Sequence, residues 1–299
     1  MELRVLKYFL AVAEEQNITA AAEVLHVTQP TLSRQIRELE VELGRTLFIR
    51  SNKKTVLTDE GLHLKKRAEE IISLAEQTAA EFRSTEESLY GELRIGAGET
   101  DAMSLVSTAM KNMHEKQPFI QYSVYSGNAD AVIERLNHGV LDFGLLLEPV
   151  DKENFNYIPV PVSDRAGVLV LKDGPYGKYE RITPEIIKNM PLLVASRQNF
   201  SQSFVSWFGY DIRKLHIIGS FNLINNAALM VQTGLGNALS LDNLINTSGT
   251  SKLRFIPLEP RIMHPMVLVW KKSRFLSAIA RLFLKEIQAE FDRVSKNVT

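Results

Sequence analysis

The chain has 299 residues, 45% of them hydrophobic, with 35 basic side chains, 35 acidic ones and no cysteine. This length suffices for about two domains with cores of their own, and the lack of cysteine excludes disulfides, thiolate metal sites and cysteine nucleophiles. Because no apolar run reaches the roughly 18 residues of a membrane helix, we expect a cytoplasmic protein. Because the formal charge is zero, any nucleic-acid partner must be bound by a local basic patch.

Three helices are predicted before Gly44, from apolar residues spaced three and four apart. The second is alanine-rich and begins near Ile18. The third begins at Gln29 and Pro30, because proline suits the first turn of a helix and Thr28 offers a capping hydroxyl. Gly44 is a typical residue for the end of that helix. Two helices with a short break between them, the second opening on polar residues, form the helix-turn-helix pattern.

Two β-prone runs follow the third helix, and the polar segment between them is turn-like, which predicts a two-stranded wing. Between Leu43 and Thr58 there is no acidic residue. The wing is therefore the local positive patch of the neutral chain, and it suits phosphates or a narrow minor groove. Its basic residues are Arg45, Arg50, Lys53 and Lys54.

Polar residues of the third helix lie opposite its apolar seam, with Gln29, Ser33 and Arg37 four residues apart. A helix fits the major groove, where glutamine pairs with adenine, arginine with guanine, and serine with either edge. A merely solvated helix face has the same pattern, but the order of helices, the Gln-Pro start and the basic wing together favour DNA contact. The residues expected at DNA are Thr28, Gln29, Pro30, Thr31, Ser33, Arg34 and Arg37 of the helix, and Arg50, Lys53 and Lys54 of the wing.

Three glutamates, Glu38, Glu40 and Glu42, crowd the second half of the third helix. We expect them to face away from DNA, with Glu38 one helical turn after Arg34 and within reach of it. The N-terminal half of the helix is then the half that reaches base edges.

A long helix is predicted from about Thr58, with acidic residues in its first turn. Apolar residues at alternating spacings of four and three follow one seam of it, which is typical of a helix that pairs with another helix. The alternative is an amphipathic helix packed on its own domain, and the dimer is the favoured interpretation. The residues assigned to the dimer seam are Leu64, Ala68, Ile71, Ala75 and Phe82, with the polar Thr78 among them.

Strand-like and helical runs alternate from Gly91 to the last residues. This alternation predicts an α/β region of mostly parallel sheets covered by helices, long enough for two sub-domains. Short apolar runs, such as residues 168–171 and 266–270, are expected to be buried strands. The histidines lie in separate segments, and there is no His-Glu-x-x-His pair, serine elbow or phosphate loop, so we expect no metal, no cofactor and no catalytic residue.

The first sixty residues resemble a known family. From Ala20 to Arg50 the chain reads AAAxxLxVTQPTLSRQIxxLExxLGxxLFxR, and LTxxG follows, ending at Gly61. This long motif closely resembles the N-terminal domain of LysR-type transcriptional regulators, and the remainder of the chain resembles the same family more loosely over its full length.

The resemblance implies an α/β protein with an N-terminal all-α winged helix-turn-helix and a two-lobed C-terminal domain shaped like the periplasmic solute-binding proteins. It implies that Gln29, Pro30, Ser33 and Arg34 lie at the major groove, that Arg50 belongs to the wing, and that the linker helix dimerises. An effector is expected in the cleft between the lobes. The implied domains are residues 1–58 for DNA binding, 59–90 for the linker helix and 91–299 for regulation, with lobe 1 at 91–161 and 268–299 and lobe 2 at 162–267.

We therefore predict a sequence-specific DNA-binding transcriptional regulator that a small-molecule effector controls, and not an enzyme. Its expected partners are double-stranded DNA, the effector, a second copy of the chain in a homodimer or homotetramer, and RNA polymerase. The alternative is a solute-binding module whose N-terminal helices serve only for assembly. That alternative leaves Gln29, Ser33 and the acid-free wing unexplained.

Polar residues follow the predicted strands of the α/β region, where helix N-termini offer free N–H groups to ligands. Glu99 adds a carboxylate where an anion would sit, and Ala102 lacks a hydroxyl that many relatives have. These departures predict an effector that carries an amine or several hydroxyls, or that is largely apolar. The alternative is that Thr100 and Ser196 only cap helices and that Glu99 is solvated. The residues assigned to the effector are Glu99, Thr100, Ser126, Ser196, Gln198 and Phe221.

Overall fold

The computed structural model describes residues 1–50, 54–83, 89–196 and 202–298. The chain forms two units, Met1–Thr85 with His138–Val140 and Glu86–Asn137 with Leu141–Thr299. The first unit is mostly helical and the second is α/β.

The first unit has the predicted order of three short helices, a hairpin and a long helix. Apolar faces of the short helices meet in one core, in which Phe9, Leu32 and Ile36 are fully buried. The periodicity of three and four in the sequence therefore corresponds to the face that each helix buries. The elements are α1 (Leu3–Glu15), α2 (Ile18–Val24), α3 (Gln29–Leu43), β1 (Phe48–Arg50), β2 (Thr55–Leu57) and α4 (Asp59–Arg83).

The two ends of α3 follow different rules. Pro30 lies in the first turn, as predicted, but the Thr28 hydroxyl makes no cap bond to the backbone, so its predicted capping role is wrong. The hydroxyls of Thr28 and Thr31 instead bond to each other at 2.8 Å. At the other end Gly44 has a φ of 63°, a left-handed conformation that glycine adopts without a Cβ clash.

The wing is an antiparallel hairpin in which Phe48 pairs with Leu57. The start of α4 is fixed against it, because the Thr58 hydroxyl donates to the Thr46 carbonyl (2.8 Å) and accepts from the Gly61 N–H (2.9 Å). A Cβ on Gly61 would clash with the Leu47 carbonyl oxygen and would lie 2.9 Å from Leu57 Cδ2. Only glycine fits this crossing without displacement of the wing.

The first half of α4 packs on its own unit. Leu64 is partly buried and Ala68 is fully buried in the helical core. Ala68 therefore cannot face a partner helix, and for this half of α4 the alternative of packing on its own domain is correct. Further along, Ile71 (37% exposed), Leu74 (54%) and Phe82 (88%) form a seam of outward apolar residues.

The second unit is built on one mixed sheet with the strand order β4-β3-β5-β11-β6-β9-β7-β8, and β10 also pairs with β6. The strands are β3 (Gly91–Ala97), β4 (Ile120–Ser126), β5 (Phe143–Leu147), β6 (Phe155–Leu171), β7 (Leu192–Ala195), β8 (Ile217–Phe221), β9 (Asn237–Leu241), β10 (Leu253–Pro257) and β11 (Met263–Lys271). The helices are α5 (Met103–Lys116), α6 (Ala129–Asn137), α7 (Pro184–Ile187), α8 (Gln202–Phe208), α9 (Ile224–Gln232) and α10 (Ala278–Val298), with a 3-10 turn at Ile212–Lys214.

Among the strands of the described residues, parallel pairing occurs in two outer groups, β3 with β4 and β5, and β7 with β8 and β9. The central strands β6, β10 and β11 pair antiparallel, so the expectation of mostly parallel sheets is wrong for the middle of the unit. β6 is also far longer than the predicted strand at residues 168–171. Pro159 and Pro161 lie within it, and proline lowers the strand signal because it cannot donate to a β-ladder.

The long strand β6 connects two lobes. It pairs with β11 up to Arg165 and with β9 from Ala166 onward, and β11 begins opposite that point, at Met263. One lobe has a core around Phe143 and Phe283, and the other lobe has its own cores. We infer that the lobes meet at this crossover, and the exact borders expected from the sequence stay a prediction.

Candidate functional sites

The outward face of α3 gathers the residues predicted to meet DNA. Thr28, Gln29, Pro30, Thr31, Arg34 and Arg37 are exposed and Ser33 is half-buried. The opposite face of the same helix is buried, so the exposed face has a fixed orientation in the unit. The helix thus presents polar donors and acceptors in one row, as groove reading requires.

The glutamates in the second half of α3 have defined partners. Glu38 lies 3.7 Å from Arg34 Nε, as predicted, and accepts from Gln35 Nε2 at 2.7 Å. Glu40 accepts from the backbone N–H groups of Leu47 (2.8 Å) and Phe48 (3.2 Å). Glu40 therefore ties the wing to the recognition helix, a role that the sequence pattern did not indicate.

The wing lies beside α3 in the same unit. Arg45 and Lys54 are exposed. Lys53 and the side chain of Arg50 lie outside the described residues, so their predicted DNA contacts rest on the sequence. Two cations of the predicted basic patch are thus exposed in the same unit as α3.

The second unit contains a cavity of about 430 Å³ between its lobes, lined mainly by apolar side chains. It brings together five of the six residues assigned to the effector, and the sixth, Gln198, lies outside the described residues. The sequence analysis missed Tyr125, Ser240 and Met266, which become neighbours of the other lining residues only in the fold. The five that line this cavity are Glu99, Thr100, Ser126, Ser196 and Phe221.

Glu99 crosses the cavity. It lies in the loop between β3 and α5, and its Oε2 accepts the backbone N–H of Ile224, the first residue of α9, at 2.7 Å. The N-cap residue of α9, Leu223, makes no side-chain cap bond. Glu99 therefore satisfies a free N–H of a helix that lies 125 residues further along the chain and belongs to the other lobe.

Thr100 has a local role. Its hydroxyl accepts the N–H of Ala102 at 3.1 Å and donates to Met266 Sδ at 3.1 Å. The N-cap residue of α5 is Ala102, without a side-chain cap bond, so Thr100 bonds within the loop before α5 and does not cap that helix as the alternative expected. Beside it, Asp101 Oδ2 accepts from Asn243 Nδ2 at 3.0 Å, a second bond between the lobes from the same loop.

The crossover between the lobes contains a buried acid, Asp164, only 5% exposed. Burial raises the pKa of Asp164, the Thr100 hydroxyl opposes that rise, and the charges of Asp101 and Asp242 add to it. Its Oδ2 has no hydrogen-bond partner among the residues that the structure describes. Next to it, Arg165 pairs with Asp242 through two N–H groups.

Neither a metal centre nor a membrane span emerges from the described part of the chain. Within residues 1–50, 54–83, 89–196 and 202–298, no group of three or more His, Asp or Glu side chains could hold a metal ion. Among the same residues, no helix is both long and apolar enough to cross a bilayer.

Family models match both units. Residues 3–62 match the bacterial regulatory helix-turn-helix protein model of the lysR family, and residues 86–292 match the LysR substrate binding domain. The chain is 28% identical over 292 residues to the HTH-type transcriptional regulator BsdA of Bacillus subtilis, covering 95% of this chain and 99% of BsdA. It is 29% identical over 301 residues to the Hca operon transcriptional activator HcaR of Escherichia coli, covering 99% and 100% of the two chains.

Solved structures agree with this fold. A crystal structure of CbnR, a LysR family transcriptional regulator, superposes with a TM-score of 0.76 at 20% identity and covers 97% of this chain and 99% of CbnR. Full-length CbnR complexed with its target DNA gives a TM-score of 0.74 at 20% identity, covering 97% and 100% of the two chains. With a helix-turn-helix unit followed by a two-lobed effector-binding unit, the chain belongs to the LysR family of DNA-binding transcriptional regulators.

Proposed function

We propose that the chain acts as a homodimer that reads duplex DNA with α3 and the wing, and that a small molecule in the cavity of the second unit controls it without catalysis. The observation that carries this proposal is the row of polar residues on the outward face of α3, in the same unit as the cations of the wing. Base readout is assigned to Gln29, Ser33 and Arg37, because their side chains can pair with base edges.

Backbone contacts are assigned to the threonines at the start of α3 and to the wing. Thr28 and Thr31 lie at the N-terminus of the helix, where hydroxyls and N–H groups bind phosphate oxygens. Arg50, Lys53 and Lys54 supply charge that fixes position and raises affinity without choosing a sequence. Specificity and affinity are thereby divided between the helix and the wing.

The dimer is assigned to the second half of α4. Ile71, Leu74 and Phe82 face outward there, and Ala75 is only partly buried. Two such helices paired about a two-fold axis would present two copies of α3 to half-sites spaced by whole helical turns. RNA polymerase would meet the dimer, or a tetramer built from two dimers, on DNA.

The effector is assigned to the cavity between the lobes. Its size and its mainly apolar lining, with a few convergent polar groups, are typical of small-molecule sites. A ligand that binds one arrangement of the lobes better than another shifts the population toward it by its difference in affinity. The two-lobed fold thus offers a way to link ligand binding to regulation.

The test is the salt dependence of DNA binding. The full chain is titrated by fluorescence anisotropy onto the duplex upstream of its own gene and onto a scrambled duplex, over a series of salt concentrations. A plot of the logarithm of the binding constant against the logarithm of salt concentration should have a slope of about −0.9 for each phosphate contacted. The natural duplex should bind more tightly than the scrambled one. A flat salt response, or equal affinity for both duplexes, would contradict the proposal.

A further inference from the structure

The polar end of the effector cavity is already occupied by a carboxylate. Glu99 is the one charged side chain among the described lining residues, and its Oε2 is bonded to the N–H of Ile224. A helix N-terminus carries partial positive charge and free N–H groups, so it is the natural place for the acidic group of a ligand. In this chain that place belongs to Glu99.

The bond is part of a clasp between the lobes. Glu99 and Asp101 lie two residues apart in the loop after β3, and each binds a residue of the other lobe, Ile224 and Asn243 respectively. The lobes are therefore held together at the cavity by groups of the chain itself. The Glu99 side of the clasp occupies the first N–H of α9.

We propose that Glu99 is a built-in carboxylate that selects an effector with an ammonium group and an apolar body and rejects effectors that place a carboxylate at α9. A second carboxylate there would have to displace Glu99 or lie beside it, and like charges at close range in a partly enclosed site repel strongly. An ammonium group would instead pair with Glu99, whose Oε1 makes no hydrogen bond within the described residues. The apolar walls suit the remainder of the ligand.

This inference rests on the proposed effector role of the cavity, but its first test does not. In the full chain, Glu99→Ala removes the carboxylate from α9, and acetate is added to replace it. Hydrogen exchange at the Ile224 amide should be faster in the variant, and acetate should slow it in the variant but not in the wild type. Glu180→Ala, at an exposed carboxylate outside the cavity lining, should change neither the exchange rate at Ile224 nor its response to acetate.

Equal exchange at Ile224 in the variant and the wild type, or protection of the wild type by acetate, would overturn the clasp. If Glu99→Ala does not fold, Glu99→Gln serves in its place, because its amide oxygen still accepts the Ile224 N–H while the charge is gone. Acetate should then leave hydrogen exchange at the Ile224 amide unchanged. The effect of removing the charge is measured in the ligand experiment.

The ligand experiment compares two probes that share one ring, benzylamine and benzoate. By calorimetry, the wild-type chain should bind benzylamine and not benzoate, and Glu99→Gln should weaken benzylamine by about tenfold or more, as expected for loss of a charge-assisted bond. Benzoate bound as tightly as benzylamine, an unchanged affinity in Glu99→Gln, or no binding of benzylamine would each overturn the assignment of an amine.

Measurements of DNA affinity with and without ligand distinguish failure of the Glu99 inference from failure of the proposed effector role. If benzoate binds the wild type and changes its affinity for DNA, the effector role stands and the role of Glu99 falls. If acetate restores Ile224 in Glu99→Ala while benzylamine binds and leaves DNA affinity unchanged, the clasp stands and the effector role falls.

Discussion

The DNA-binding face and the effector cavity are built in opposite ways. Every residue predicted to reach the major groove lies on one helix, whose position is fixed by its own buried face. The cavity of the second unit is assembled from strand ends and loops between Gly98 and Met266. A recognition helix is thus preformed and local, whereas the ligand site depends on how two lobes meet.

The largest effect is expected where the wing crosses α4. Gly61→Ala should lower the free energy of unfolding of the first unit by about 2–4 kcal/mol, because the new Cβ meets the Leu47 carbonyl. Gly44→Ala, at a positive φ with nothing within 4 Å, should cost only about 1 kcal/mol. Urea unfolding measures both variants. Equal losses would mean that the crossing can shift, and that the first unit is not rigid.

The next effect separates base reading from phosphate binding. Gln29→Ala or Ser33→Ala should weaken binding to the cognate site by about 1–3 kcal/mol and leave binding to random DNA nearly unchanged. Lys54→Ala should weaken binding to both and lower the salt slope by about one unit. Anisotropy titrations on the cognate and the random duplex, over a series of salt concentrations, give the two affinities and the salt slope for each variant. An equal loss on random DNA for Gln29→Ala would show that it does not read bases.

The seam on α4 is the surface that we propose pairs with a second copy of the chain. Phe82→Glu should weaken dimerisation about tenfold or more, since it places a charge in an apolar contact between helices. Phe275→Glu is the matched control, because Phe275 is an equally exposed aromatic residue (80% against 88%) in the second unit. Sedimentation of both variants measures their oligomeric state. An unchanged oligomer in Phe82→Glu would remove α4 from the dimer.

The smallest effect concerns pH and the crossover of the second unit. The pKa of Asp164 is raised above its ordinary value of 3.8 by burial, so the folded chain binds this proton more tightly than the unfolded chain. Its contribution is fully present below pH 3.8 and is lost as the pH rises through the raised pKa. Asp164→Asn should therefore gain stability relative to the wild type as the pH rises through this window. The same difference in unfolding free energy between Asp164→Asn and the wild type at all pH values would contradict the raised pKa of Asp164.

The same comparison explains what the sequence could predict. The helix-turn-helix, the wing and the end of α3 at Gly44 follow from periodicity and from residues close together in the chain. The bond from Glu40 to the wing and the cavity contribution of Tyr125 could not be predicted, because each depends on a neighbour that only the fold supplies. The length of β6 was hidden by its prolines, since pairing with β11 outweighs their local preference.

Five cavity residues were nonetheless anticipated, because polar residues at strand ends share one edge of a sheet. The bond from Glu99 to Ile224 was not predicted, since it requires a helix from the other lobe. Distance along the chain, more than residue type, limited the prediction. Sites within one helix were predicted, and contacts between lobes were not.

The central claim is that two copies of α3 read DNA about a two-fold axis. Selection of bound duplexes from a randomised pool by the full chain tests this most directly, with the double variant Gln29→Ala and Ser33→Ala as the control. We predict enrichment of two inverted half-sites separated by whole helical turns, and loss of that enrichment in the double variant. A pool without any enriched sequence, or the same enrichment in the double variant, would contradict the account.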